Sequence, residues 1–229
     1  MTTFKIVVVS KDSSSKMNPD ECIVNTSDVI STSKFIYDNQ LGLPEVYNNA
    51  IDEFKTSNDD FLVLLHGDVK LDIEQLLRHI DSVKSKYDVI GLCGCSKISI
   101  IQSPLNWFCG SRPYPDCRWG CVTHGELGNK TSYFSQHSPD ILDHEVACID
   151  GLCIVMSKHA VEIGLRFDET LAKYDLYDTD ISFQAILKYN LKVGVVVRKD
   201  LMHYSVGKRI IQPEFLESER KFRDKWKFS

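Results

Sequence analysis

Short β-branched runs and stretches of helical periodicity take turns along the first 95 residues. Phe4 to Ser10 (FKIVVVS) reads as a strand, and Glu21 to Thr26 (ECIVNT) as a second, softer one. After Pro44, the positions Val46, Ala50 and Phe54 share one face of a predicted helix. Asn58-Asp59-Asp60 stops it before the apolar run Phe61 to Leu65. Asp72 is placed to cap a helix whose Ile73, Leu76, Leu77 and Ile80 recur on one side, and Asp88 to Cys95 follows as a strand. Strand–helix alternation of this kind predicts an α/β fold: a mainly parallel central sheet with helices on both faces.

From Ser96 to Glu145 the periodicity is lost among Pro104, Pro113, Pro115, Trp107, Trp119 and several glycines. A long irregular stretch inside a compact domain is usually functional. Regularity returns in VACIDGLCIVMS, read as a strand pair or one bent strand, and in a short helix from Lys158 to Ile163. The acidic turn YDLYDTD then opens a helix with Phe183, Ile186 and Leu187 on one side, which Asn190 ends before the strand LKVGVVV. A last helix starts at Pro213 with Phe215, Phe222 and Trp226 roughly on one face. That face either closes the core or rests on a membrane surface.

At 229 residues and 43% hydrophobic content the chain suits one domain, here 1–229, with residues 1–95 and 96–229 as its two halves. A formal charge of -5 and no central basic patch argue against nucleic-acid partners. The N-terminus lacks the pattern of a signal peptide, and no run reaches the length of a membrane span, so a cytoplasmic protein is expected, with at most peripheral membrane contact. In that setting the eight cysteines stay reduced. The spacing Cys117, Cys121, His124, with Cys109 nearby, leaves a zinc site open, although paired CxxC knuckles are absent.

Chemistry concentrates at the ends of predicted strands, where open α/β sheets bind ligands. His66-Gly67-Asp68 closes the run Phe61 to Leu65. Asp68 suits a divalent cation on a diphosphate, which needs only one or two protein carboxylates, and Gly67 lets backbone approach a phosphate. Helix capping is the competing role. His203, after another apolar run, can complete the cation's ligands, and its nitrogen favours Mn²⁺ over Mg²⁺. Asp178 and Asp180, two apart, point to different faces of a helix, so one caps it while the other is free to act as a general base. Asp150-Gly151 at a strand break suits sugar hydroxyls or a plain turn. Lys208 and Arg209 after Gly207 suit a diphosphate or a solvated loop, and Trp107 and Trp119 suit sugar stacking or the core.

Taken in order, KIVVVS, YNNAI, LLHGDVKLD, IDGLCIV, FDETL, YDTDISFQA, KVGVVV and HYSVG resemble the family 2-like glycosyltransferases of the GT-A fold, in particular a small branch with a histidine before the strand-end aspartate. The resemblance covers most of the chain outside residues 96–145 and the tail. It implies an inverting, metal-dependent transfer of a sugar from a nucleotide-sugar donor, a UDP-sugar before a GDP- or dTDP-sugar, to a glycan, protein or lipid hydroxyl. It further implies Ser10 near the base or ribose, Asn48 near the nucleotide pocket, Asp68 and His203 on Mn²⁺ or Mg²⁺, and Asp178 as the base. His66 stands where the usual motif has its first aspartate, with ribose contact, metal contact or neither as its role, and Tyr177 stands where the acidic motif has glutamate, which keeps Asp180 open as the base beside its implied role in substrate binding. Two alternatives remain: a sugar-1-phosphate nucleotidyltransferase, whose usual glycine-rich loop after the first strand is missing from SKDSSSKMNPD, and a catalytically silent sugar-nucleotide or glycan binder.

Overall fold

A computed structural model describes residues 2–12, 23–24, 32–125, 131–134, 142–171, 174–205 and 212–227, with backbone alone at 23–24 and 131–134. Strand β1 (Phe4–Val9) lies parallel to β3 (Lys34–Ile36) on one side and β4 (Phe61–His66) on the other. Beyond β4 come β12 (Cys153–Ser157), antiparallel, then β6 (Val89–Gly91) and β13 (Val193–Val196), which pair parallel to each other, and β10 (Asp143–Glu145), antiparallel, at the edge.

Alternate strand residues feed two cores. Val7 and Val9 of β1, with Leu62 and Leu64 of β4, face one layer. That layer contains α1 (Leu43–Lys55), which buries Val46, Tyr47, Ala50, Ile51 and Phe54. Pro44 in its first turn removes a backbone N–H that a helix start leaves unpaired anyway. Ile6, Val8, Val63 and Leu65 face the opposite layer, where α2 (Ile73–Val83) buries Ile73, Leu76 and Ile80. Asp72 caps α2 as predicted, its carboxylate accepting from the Gln75 N–H at 3.0 Å. The α/β architecture with helices on both faces is that expected from the sequence.

A second sheet was not foreseen. It runs β11 (Cys148–Ile149), β7 (Cys93–Cys95), β8 (Arg118–His124), β14 (Met202–His203), β5 (Val69–Asp72) and β2 (Ile23–Val24), with β9 (Thr131–Phe134) beside β8. The predicted strand 88–95 therefore breaks at Leu92 and serves both sheets, and VACIDGLCIVMS splits into β11 and β12 around Asp150-Gly151-Leu152. Gly94 is required at the crossing, because a Cβ there would meet the Cys148 carbonyl at 2.3 Å. The stretch 96–145, expected to be irregular, contains β8, which pairs with three strands. Its polar and apolar residues mix as RWGCVTH, so no apolar run announces it.

Helix α3 (Trp107–Gly110) and α4 (Lys158–Glu162) are short. Helix α5 (Tyr177–Phe183) continues as a π turn over Gln184–Lys188 and ends at Asn190 in the left-handed region, φ 53°. Leu187, expected on the buried side, is 62% exposed. Helix α6 (Pro213–Trp226) seats Phe222 against Leu105, Leu171, Leu176 and Phe183, so its aromatic face closes a third core. Among the described residues no helix is long and apolar enough to cross a membrane.

Candidate active site

β4 stays buried from Phe61 to Leu65 and reaches the surface at His66. There the His66 N–H donates to the Leu152 carbonyl at 3.0 Å and the Gly67 N–H to the Val9 carbonyl at 2.8 Å, so the ends of β1, β4 and β12 meet. The chain turns through Asp68 into β5, whose Val69 pairs with His203 of β14, and the Tyr204 N–H donates to the Asp68 carbonyl at 2.8 Å. Strand register thus brings His203 beside Asp68.

One potential ligand atom from each of His66, Asp68 and His203 lies within 4.8 Å of the others. Asp68 Oδ1 is 3.4 Å from His203 Nε2 and 4.0 Å from His66 Nδ1. The opposite nitrogen of His66, Nε2, is held by the Tyr177 hydroxyl at 2.8 Å, which leaves Nδ1 facing Asp68. Burial opposes ionisation of Asp68, yet the hydrogen bond and charge of His203, with His66, hold its carboxyl below the ordinary range. Burial also works against a charge on His203, but the partnership with Asp68 raises it, whereas burial dominates at His66 and lowers it. Two imidazoles and an ionised carboxylate make a donor set suited to a divalent cation. A ring nitrogen fixed by a second partner is the usual arrangement of ligating histidines. His124, paired with His203 in register, brings its ring centroid to 5.1 Å from that of His203 and sets Nδ1 3.2 Å from the Ser205 carbonyl.

Asp178 follows Tyr177 in the first turn of α5. Its Oδ2 accepts from the Gly151 N–H at 3.0 Å and its Oδ1 from the Thr179 N–H at 2.7 Å. Burial, reinforced by the charge of Asp150, pushes its carboxyl up to about 7 against these hydrogen bonds. Asp150 is fixed by the Trp107 indole N–H at 2.6 Å and the Leu152 N–H at 2.9 Å. Leu176, just before the site, sits at φ 62°, a conformation that costs a non-glycine residue energy and that the packing around it imposes.

The remaining predicted residues divide. Ser10 follows Val9, the partner of His66, and its hydroxyl accepts from the Asp12 N–H at 3.0 Å to close a turn. Gly151 passes beneath Tyr177: a Cβ there would lie 2.0 Å from the Tyr177 oxygen. Asn48 takes a different role from the nucleotide contact expected of it. Its amide clasps the Phe167 N–H and carbonyl, each at 3.0 Å, and Glu169 at 2.7 Å. Asp180 likewise departs from substrate contact, because it is buried against Lys225, Trp226 and Gln184.

Trp107 belongs to the site through Asp150, while Trp119 stacks on His144 with centroids 3.5 Å apart. Among the described residues Cys117, Cys121 and His124 form no group close enough for one ion, and the zinc reading falls. Gly207, Lys208 and Arg209 lie outside the described residues. Tyr177 and Trp107 as hydrogen-bond partners had no sequence signal, since their roles depend on which histidine or carboxylate they meet.

No sequence-family model and no curated protein sequence matches the chain. Solved structures do. GalNAc-T7 with UDP, GalNAc and Mn²⁺ superposes with a TM-score of 0.53 at 11% identity, over 97% of this chain and 48% of that one. S. aureus TarS gives 0.52 at 12% identity, over 96% and 39%. TarS 1–349 in complex with UDP gives 0.50 at 12% identity, over 95% and 63%. The chain therefore spans between 39% and 63% of these chains' lengths. The fold is of the GT-A type. Within this fold, His66, Asp68 and His203 gather at the carboxyl end of β4, and Asp178 bonds Gly151 just before β12, next to the Leu152 whose carbonyl accepts from the His66 N–H.

Proposed function

We propose that the protein is an inverting, divalent-metal-dependent glycosyltransferase that moves a sugar from a nucleotide-sugar, a UDP-sugar first, to an acceptor hydroxyl. The observation that carries this reading is the pairing, at one end of the sheet, of a His-Asp-His cluster with a separate carboxylate raised to about 7. The first suits the diphosphate end of a donor. The second suits an acceptor proton. A bound cation would act as a Lewis acid on the departing diphosphate. His66, Asp68 and His203 would hold it, with Tyr177 fixing the His66 ring.

Asp178 takes the proton from the acceptor hydroxyl at its free carboxylate lone pairs as that oxygen attacks the anomeric carbon. The bond to the diphosphate breaks on the opposite face, and the electron pair leaves with the diphosphate oxygen. A pKa near the working pH is the best compromise for such a base. Asp150, anchored by Trp107, is placed to orient a sugar or acceptor hydroxyl. A silent sugar-nucleotide binder would need the His-Asp-His cluster but no second carboxylate tuned in this way.

The test combines calorimetry of UDP with and without Mn²⁺ and transfer assays over UDP-, GDP- and dTDP-sugars. Asp68→Ala is expected to abolish the Mn²⁺-dependent part of UDP binding. Asp178→Asn is expected to keep it while transfer falls by ~10²–10⁴. Wild-type transfer in Asp178→Asn, or UDP binding indifferent to Mn²⁺, would falsify the assignment.

A further inference from the structure

Helix α6 grips two parts of the molecule through buried ions. Near its C-terminal end, Lys225 Nζ donates to Asp180 Oδ2 and to Asp168 Oδ2, each at 2.8 Å, and the Trp226 indole donates to Asp180 Oδ1 at 2.9 Å. Asp180 is fully buried and takes a further bond from Gln184 Nε2 at 2.7 Å. It sits on α5, two residues after Asp178. In the middle of α6, buried Glu219 accepts from the Leu105 N–H and the Ser103 hydroxyl, both at 3.1 Å. Arg223 donates to Glu219 at 2.7 Å and to the carbonyls of Ile100 at 2.5 Å and Gln102 at 2.7 Å.

The segment so held runs into Asn106, whose side chain caps α3 through the Cys109 N–H at 2.7 Å, and α3 begins with Trp107, the residue that holds Asp150. One helix is thus tied to α5, which carries Asp178 in its first turn, and to α3, whose Trp107 holds Asp150. Closing an apolar core requires no such ions. A buried charge is costly unless well paired, and its best-attested benefit is fixing one geometry among several. Phe222, between the two ties, fills the space between Phe183 and Leu105.

We propose that α6 is the strut that sets the separation of Asp178 and Asp150, with Asp180, Lys225 and Glu219 as positioning residues that do not themselves touch substrate. The proposal rests on the reading of Asp178 as the base and adds what fixes that base in place.

Three variants test it: Trp226→Phe, Lys225→Met, and the charge-balanced pair Asp180→Asn/Lys225→Met, which folds without a stranded buried carboxylate. Each is expected to lower kcat by on the order of tenfold, since small misplacements of a reacting group are costly in rate. Donor KM and Mn²⁺-dependent UDP affinity change much less than kcat, because the three cluster residues lie on β4, the turn after it and β14, and only the Tyr177 hydroxyl on His66 joins them to α5. The acid limb of the kcat–pH profile moves from its wild-type position, and Lys225→Arg restores it. Wild-type kcat and acid limb in Trp226→Phe and the double variant overturn the proposal. So does a parallel loss of UDP affinity, which is the mark of general loosening. Full transfer in Asp178→Asn would remove the base assignment itself, an outcome read independently of the α6 variants.

Discussion

At the scale of single residues, Asp178 shows how burial and a neighbouring carboxylate raise a carboxyl group. Its folded-state pKa of about 7 stands above the ordinary 3.8, with burial as the largest cause and Asp150 the next. The folded protein therefore keeps a proton there that the unfolded chain has already lost, so this residue's contribution to stability declines as pH rises from about 4 to about 7. Asp178→Asn removes the cost of burying the charge. Its melting temperature is expected to exceed the wild type at pH 8 and to converge with it near pH 4, as thermal melts across that range will show. A pH-independent difference would mean the carboxyl is not raised. Sequence exposed Asp68, His203 and Asp178 because strand ends and helix starts are where unpaired polar groups gather. The settings of Asn48 and Asp180 could not be read there, because their partners, Phe167 with Glu169 and Lys225 with Trp226, come from distant segments.

At the scale of elements, the approach of β11–β12 to α5 matters most. Gly151 lets the Tyr177 ring cross the turn, so that its hydroxyl reaches His66 while Asp178 takes the Gly151 N–H. Gly151→Ala places a methyl group 2.0 Å from the Tyr177 oxygen, so the buried ring, held at its hydroxyl by His66, must shift. The variant is expected to lose about 1–3 kcal/mol of stability, as overpacked sites do. It is also expected to lose the rise in melting temperature that the proposed Mn²⁺ binding would give the wild type. Denaturant unfolding and melts with and without Mn²⁺ check both, and an unchanged Mn²⁺ response would separate Tyr177 from the His-Asp-His cluster. The elements legible in the sequence were those with a strong period: β1, β4, α1 and α2. β8 was hidden because both its faces carry mixed residues, and the strand 88–95 looked continuous although Leu92 passes it from one sheet to the other.

At the scale of the whole molecule, two sheets and three cores share the work, and α6 supplies the third core. Phe222, fully buried between Leu105, Leu171, Leu176 and Phe183, is its centre. Phe222→Ala is expected to cost ~3–5 kcal/mol, read by denaturant unfolding. A loss below about 1 kcal/mol would show that α6 is not part of the cooperative fold. The chain's own pattern determined the α/β class, the helices on both faces and the strand-end position of the chemistry, because period-2 and period-3.6 burial are local properties written into neighbouring residues. Tertiary structure alone decided the second sheet, the meeting of His203 with Asp68, and the diversion of Asp180 to Lys225. Those depend on which strands pair and in what register, a choice made by long-range packing that residue spacing along the chain does not encode.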